Sequence, residues 1–136
     1  MSIDIKQLIP HGDGMVVLDD VVSWDNQRIH CRSHLVAGCN ALIDSHAVNP
    51  AIFIEYAAQA AAVHAGLLQT GLGEKRAAYI GAVKNAQWAT ESLPLPLEID
   101  IVAEALMASD SGAIYEVTVK TAGADVFASR LILNQP

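Results

Sequence analysis

The sequence predicts an α+β fold in which an antiparallel sheet of about six strands wraps around one long central helix. Three observations carry that expectation. A single alanine-rich apolar segment, Pro50 to Gln69, reads as helix. Two strand-like runs precede it and four come after, each bounded by turn residues. Of the 136 residues 52% are hydrophobic and only 17% charged, which suits a packed core and excludes a disordered chain. At this length one domain over residues 1–136 is expected.

The chain begins with a turn, Ile9-Pro10-His11-Gly12-Asp13-Gly14, which has one proline and two glycines in six residues. Met15 to Trp24 then reads as a mostly buried strand. Asp25-Asn26 is a hairpin turn signal, and Gln27 to Val36 returns with alternation. Ile29, Cys31 and Leu35 share one face of that return; Arg28, His30 and Arg32 share the other. Ala37 to Asn49 is irregular. Asn49 is a good N-cap, Pro50 suits the first helical position, and the alanines after it have the best helix propensity. Gly71 or Gly73 can end the helix. About twenty residues give roughly 30 Å of helix, apolar nearly all round and so enclosed on most sides. Four strands are expected after it: Ala77 to Trp88, Leu97 to Ala108, Ala113 to Lys120 and Ala124 to Asn134. Leu93-Pro94-Leu95-Pro96 leads into the second of these as extended chain, and Ser109-Asp110-Ser111-Gly112 and Ala122-Gly123 are tight turns. One helix leaves part of such a sheet uncovered, so a partner copy is expected.

Composition excludes several functions. With 8 basic against 15 acidic residues the net charge is −7, and Lys75-Arg76 is the one adjacent basic pair, so nucleic acid is not an expected partner. Cys31 and Cys39 lack zinc spacing and read as two small buried hydrophobes in a reducing compartment. The N-terminus shows no signal-peptide pattern. Tyr56 to Gly73 carries Gln59, His64, Gln69 and Thr70 and reads as a buried helix, not a membrane span. A cytoplasmic location is expected.

Two motifs carry a resemblance. Leu8-Ile9-Pro10-His11-x-x-x-Met15-x-x-Leu18-Asp19-x-Val21 is similar to the opening Leu-Pro-His-Arg segment and Leu-x-Asp-Arg-Val strand of the bacterial 3-hydroxyacyl-[acyl-carrier-protein] dehydratases. Ile54-Glu55-Tyr56-Ala57-Ala58-Gln59 resembles that family's helix segment Glu-x-x-Ala-Gln. In their order and spacing the two span most of the chain. The look-alike nearest in pattern is a divergent branch from aryl-polyene biosynthesis clusters. Its helix form, Ile-Glu-Tyr-x-Ala-Gln-x-x-Ala-x-His-x-Gly, is matched by Ile54 to Gly66, and its Asn-x-Pro ending by Asn134-Gln135-Pro136.

The resemblance implies the hot-dog fold and a dehydration. A 3-hydroxyacyl thioester, on acyl carrier protein or coenzyme A, loses water to become the trans-2-enoyl thioester. A histidine takes the α-proton, and a carboxyl on the central helix assists departure of the β-hydroxyl. Backbone N–H groups at the helix start receive the developing enolate charge. No cofactor or metal is implied. A homodimer is implied, with a heterodimer of related subunits as the alternative. Carried over, the carboxyl is Glu55, and Asn49, Ala51 and Ile52 at the helix start are the substrate-binding positions together with Gln59. Gln59 lies four residues on, about 40° round the same face, where it can orient the carboxylate. The family's His-Phe-Pro segment does not occur; fourteen residues before Glu55 stands Ala41. The nearest histidine is His46, nine residues before Glu55, a loop position suited to a general base.

The remaining candidates are weaker. His11 matches the opening motif as a structural residue. His30 and His34 share one strand face and are expected at the surface. His64 lies about 180° round the helix from Glu55 and is expected as a satisfied core or interface histidine. Phe53, Ala57, Ala60 and Ala61 with Ile52 could line an acyl channel, and so would any buried helix. Lys75, Arg76 and Lys84 are the few basic residues available to an acidic carrier protein. Two alternatives remain open: a hot-dog thioesterase using Glu55 or Asp44 with water, and a non-catalytic acyl-thioester-binding subunit.

Overall fold

Side chains alternate inward and outward along the strands, and most of the inward ones are apolar. The computed structural model describes Ile5 and residues 16–40, 42–43, 46–68, 79–109 and 111–134. In chain order the elements are β1 (Asp20–Trp24), β2 (Arg28–Leu35), β3 (Ala47–Val48), a 3-10 turn (Pro50–Ile52), α1 (Phe53–Leu68), β4 (Tyr79–Gln87), β5 (Leu93–Pro94), β6 (Leu97–Ser109), β7 (Gly112–Thr121) and β8 (Ala124–Asn134). Six strands form one sheet in the order β1-β2-β6-β7-β8-β4, with every neighbouring pair antiparallel. This is the expected sheet of six strands with one long helix packed against it.

The core lies between α1 and the inner sheet face. Ile29, Cys31 and Leu35 of β2 and Ile99, Ile101 and Ala103 of β6 point inward, as do Tyr115, Val117 and Val119 of β7 and Phe127, Leu131 and Leu133 of β8. Each large aliphatic side chain so buried contributes about 1.5–3 kcal/mol. The helix answers with small residues: Ala57, Ala60 and Ala61 are fully buried, so its backbone can approach the strands closely. Phe53 and Tyr56, packed edge to face, fill its first turns. The segment Pro50–Leu68 is long and apolar enough to cross a membrane, yet most of it is buried inside the fold, as a core helix requires.

Some boundaries differ from expectation. The first strand starts at Asp20, not Met15, and is largely exposed rather than mostly buried. It is an edge strand paired with β2 alone, and its register shifts between Val21 and Ser23. Val17 and Leu18 are buried ahead of it, outside the ladder. The hairpin turn runs over Asp25 to Gln27, where Asp25 Oδ1 accepts the N–H groups of Gln27 (2.8 Å) and Arg28 (2.9 Å). Those two bonds hold the Asp25 carboxyl below its ordinary range. Within the irregular 37–49 stretch, Ala47–Val48 pairs with Leu93–Pro94, so the proline-rich lead supplies a two-residue strand of its own. The Ile9–Gly14 turn, Gly71, Gly73 and the Gln135-Pro136 ending lie outside the described residues.

Candidate active site

The entrance to α1 organises the site. Asn49 sits in extended conformation at the cap, and its Oδ1 accepts the Ala51 N–H at 2.8 Å. Its carbonyl accepts the Ile52 N–H at 3.1 Å. The expected oxygen-binding donors at Ala51 and Ile52 are therefore engaged with the cap residue. Glu55 comes next, in the first turn of α1.

Gln59 is fully buried and bridges two elements. Its Nε2 donates to Glu55 Oε1 at 2.9 Å, and its Oε1 accepts the Val17 N–H at 2.9 Å. The bridge meets the four-residue spacing on one helix face and shows why a polar amide can sit in the core. Glu55 itself is half-buried, flanked by the half-buried Ile52 and Ile54. The face expected to line an acyl channel is otherwise committed: Phe53, Ala57, Ala60 and Ala61 pack in the core, which leaves Ile52 beside the carboxyl.

His46 stands just ahead of β3 and is exposed. Its carbonyl accepts the Leu95 N–H at 2.9 Å, which ties the loop to the β5 end. Among the described residues its imidazole makes no hydrogen bond to Glu55. The structure thus brings Glu55 and Gln59 together, and His46 stands exposed in the loop ahead of β3. Asp44, His11, Lys75 and Arg76 lie outside the described residues, and Lys84 is exposed on β4.

The other histidines are engaged elsewhere. His64 is fully buried, with Nδ1 2.7 Å from the Tyr115 hydroxyl and Nε2 2.7 Å from the Asp25 carbonyl. It is the satisfied core histidine that the sequence predicts. His30 is half-buried on the outer sheet face, 2.7 Å from Asp100, and this bond, with the Arg32 guanidinium at 3.0 Å, holds the Asp100 carboxyl below its usual range. His34 is exposed, 3.3 Å from Glu98. Burial pushes the Cys31 thiol up to about 12, so it is an inert core residue. Cys39, expected to be buried as well, is exposed in the loop after β2. Sequence reasoning missed Val17 as a partner of Gln59. No side chain announces a backbone donor; the signal available was only that a buried glutamine needs two partners.

The ApeP-like family model, described as ApeP dehydratase, matches residues 3–136. The chain belongs to the ApeP-like dehydratase family. A solved structure, the dehydratase heterocomplex ApeI:P from Xenorhabdus doucetiae, superposes on it with a TM-score of 0.87 at 19% identity, covering 100% of this chain and 93% of that one. A mutant thioesterase PA1618 from Pseudomonas aeruginosa gives 0.67 at 12% identity, covering 85% and 79%. The PaaI protein of E. coli, from the phenylacetic acid degradation operon, gives 0.65 at 15%, covering 85% and 81%. At these identities the structural likenesses establish the shared hot-dog fold. No curated protein matches in sequence. As an ApeP-like dehydratase the chain is a hot-dog dehydratase, and the Glu55–Gln59 pair sits on the central helix of that fold.

Proposed function

We propose that this ApeP-like dehydratase acts on a 3-hydroxyacyl thioester carried by an acyl carrier protein in cytoplasmic polyene assembly. The observation that carries the reading is the half-buried Glu55 carboxyl, oriented by the buried Gln59 amide at the start of an apolar helix. A carboxyl there is costly unless it has work to do.

The reaction needs a base and an acid on opposite ends of the α,β bond. The His46 imidazole takes the α-proton, which the thioester carbonyl acidifies. The C–O bond to the β-hydroxyl breaks, and Glu55 in its acid form gives its proton to the leaving oxygen, so water departs. The imidazolium then loses a proton and Glu55 regains one, which returns the site to its starting state. Charge on the thioester oxygen is met at the helix start, where the Ala51 N–H exchanges the Asn49 side chain for the substrate. Ile52 and Ile54 offer the first apolar contacts to the acyl chain.

His46 is exposed and unbonded to Glu55 within one chain, which favours a site completed between two subunits. The ApeI:P structure is a dehydratase heterocomplex, and a heterodimer with a related hot-dog subunit is the arrangement we propose here.

The test is a mass-spectrometric assay on 3-hydroxyacyl carrier protein, with the chain alone and with its related subunit. Loss of one water from the acyl group is expected. Release of a free acid would replace this reading with a thioesterase. No change with the acyl carrier still bound would leave a non-catalytic subunit.

A further inference from the structure

The four residues ahead of β1 are buried in part yet belong to no strand, and something must fix them. Three bonds to β2 do so. The Ser33 hydroxyl donates to the Val17 carbonyl at 3.0 Å, the Asp19 N–H donates to the Arg32 carbonyl at 3.2 Å, and Asp19 Oδ2 accepts the His34 N–H at 2.7 Å. Ser33 is the odd residue here. It occupies an inward position of β2 between Cys31 and Leu35, is 1% exposed, and is polar where its neighbours are apolar.

Donor and acceptor chemistry then fixes the orientation of the Gln59 amide. The Val17 N–H can only donate, so the Gln59 atom it meets is the carbonyl Oε1. The other end of that amide, Nε2, can only donate, so Glu55 Oε1 must accept. A proton carried by the Glu55 carboxyl then resides on Oε2. Reverse the amide and the Val17 contact fails, because two donors then face each other.

We infer that Ser33 is a positioning residue for the Glu55 carboxyl. It acts through Val17 and Gln59, and the chain of three bonds keeps Oε1 as acceptor and Oε2 as the oxygen that delivers the proton. The inference rests on the reading of Glu55 as the acid of the dehydration. Ser33 touches no substrate; it works by holding a segment that the sheet ladder does not hold.

The experiment is a double-mutant cycle in the dehydration assay, using whichever subunit composition turns over. Ser33→Ala should lower kcat about five- to tenfold with KM little changed, as expected when a reacting group is displaced but binding is kept. In a Gln59→Ala background Ser33→Ala should have almost no further effect, because the chain is already broken. Ser33→Thr, which keeps the hydroxyl, should recover most of the loss. If Ser33→Ala does not fold, Ser33→Cys keeps the volume, weakens the donor and takes its place in the cycle. A full Ser33→Ala loss persisting in the Gln59→Ala background, or a wild-type kcat for Ser33→Ala, overturns the inference while Glu55→Gln stays inactive. Full turnover by Glu55→Gln overturns the reading of Glu55 itself, and the positioning role with it.

Discussion

His64 has one protonation state written into its surroundings. Its Nε2 faces the Asp25 carbonyl, which only accepts, so Nε2 carries hydrogen and Nδ1 is left to accept from the Tyr115 hydroxyl. Burial lowers its pKa below 6.5, and the hydrogen bond and negative charge at Asp25 oppose this only in part. Trp24 and Tyr115 pack edge to face against the ring. The unfolded chain then binds a proton that the folded chain resists. Stability from this group is fully present above pH 6.5 and is lost as pH falls from there towards the lowered value. Urea unfolding at stepped pH should show this slope in the wild type and a shallower one in His64→Gln; equal slopes would contradict the assignment. Ser129 is the opposite case. Its hydroxyl is buried with no partner among the described residues, so Ser129→Ala should raise stability by about 1 kcal/mol in the same denaturation measurement. A loss instead would reveal a partner for that hydroxyl.

The helix and its cap respond to substitution as elements. Asn49→Ala removes the Oδ1 acceptor at the helix start and should cost about 1 kcal/mol in urea unfolding. Ala61→Leu forces bulk between α1 and the sheet and should cost about 1–3 kcal/mol, read by thermal or urea unfolding. Most of these elements are legible in the sequence because their signals are local. Asn49-Pro50 and the alanine run announce the helix, and β7 alternates strictly from Ile114 to Lys120. The exposure of the first strand is not legible there, because Asp20–Trp24 carries apolar residues without being enclosed; edge position, not residue type, decides it. The β3–β5 pair is invisible because prolines and a two-residue run carry no strand pattern, and only tertiary proximity of Ala47 and Pro94 creates it. In the site, Glu55 and Gln59 are readable from helical spacing, whereas Val17 enters through its backbone and leaves no mark in the sequence.

Across the whole protomer, the sheet has two edges, β1 and β4. The β4 edge carries Ile80 and Val83 exposed, with Trp88 exposed just beyond it and stacked on Phe127. An open apolar edge is a place for another chain to pair. Under the proposed heterodimer, Val83→Glu should weaken subunit association without unfolding the protomer, as sedimentation velocity would show. With a net charge of −7, an acidic carrier protein gains little from long-range attraction, and its docking is expected to depend on local lysines such as Lys84. Everything proposed for the reaction turns on the carboxyl of Glu55. The decisive experiment is single-turnover conversion of a 3-hydroxyacyl carrier protein by wild type and Glu55→Gln in the assembled complex. Glu55→Gln should lose roughly a hundredfold or more in rate while still binding the acyl carrier. Conversion by Glu55→Gln at the wild-type rate would contradict the role of Glu55 as the acid.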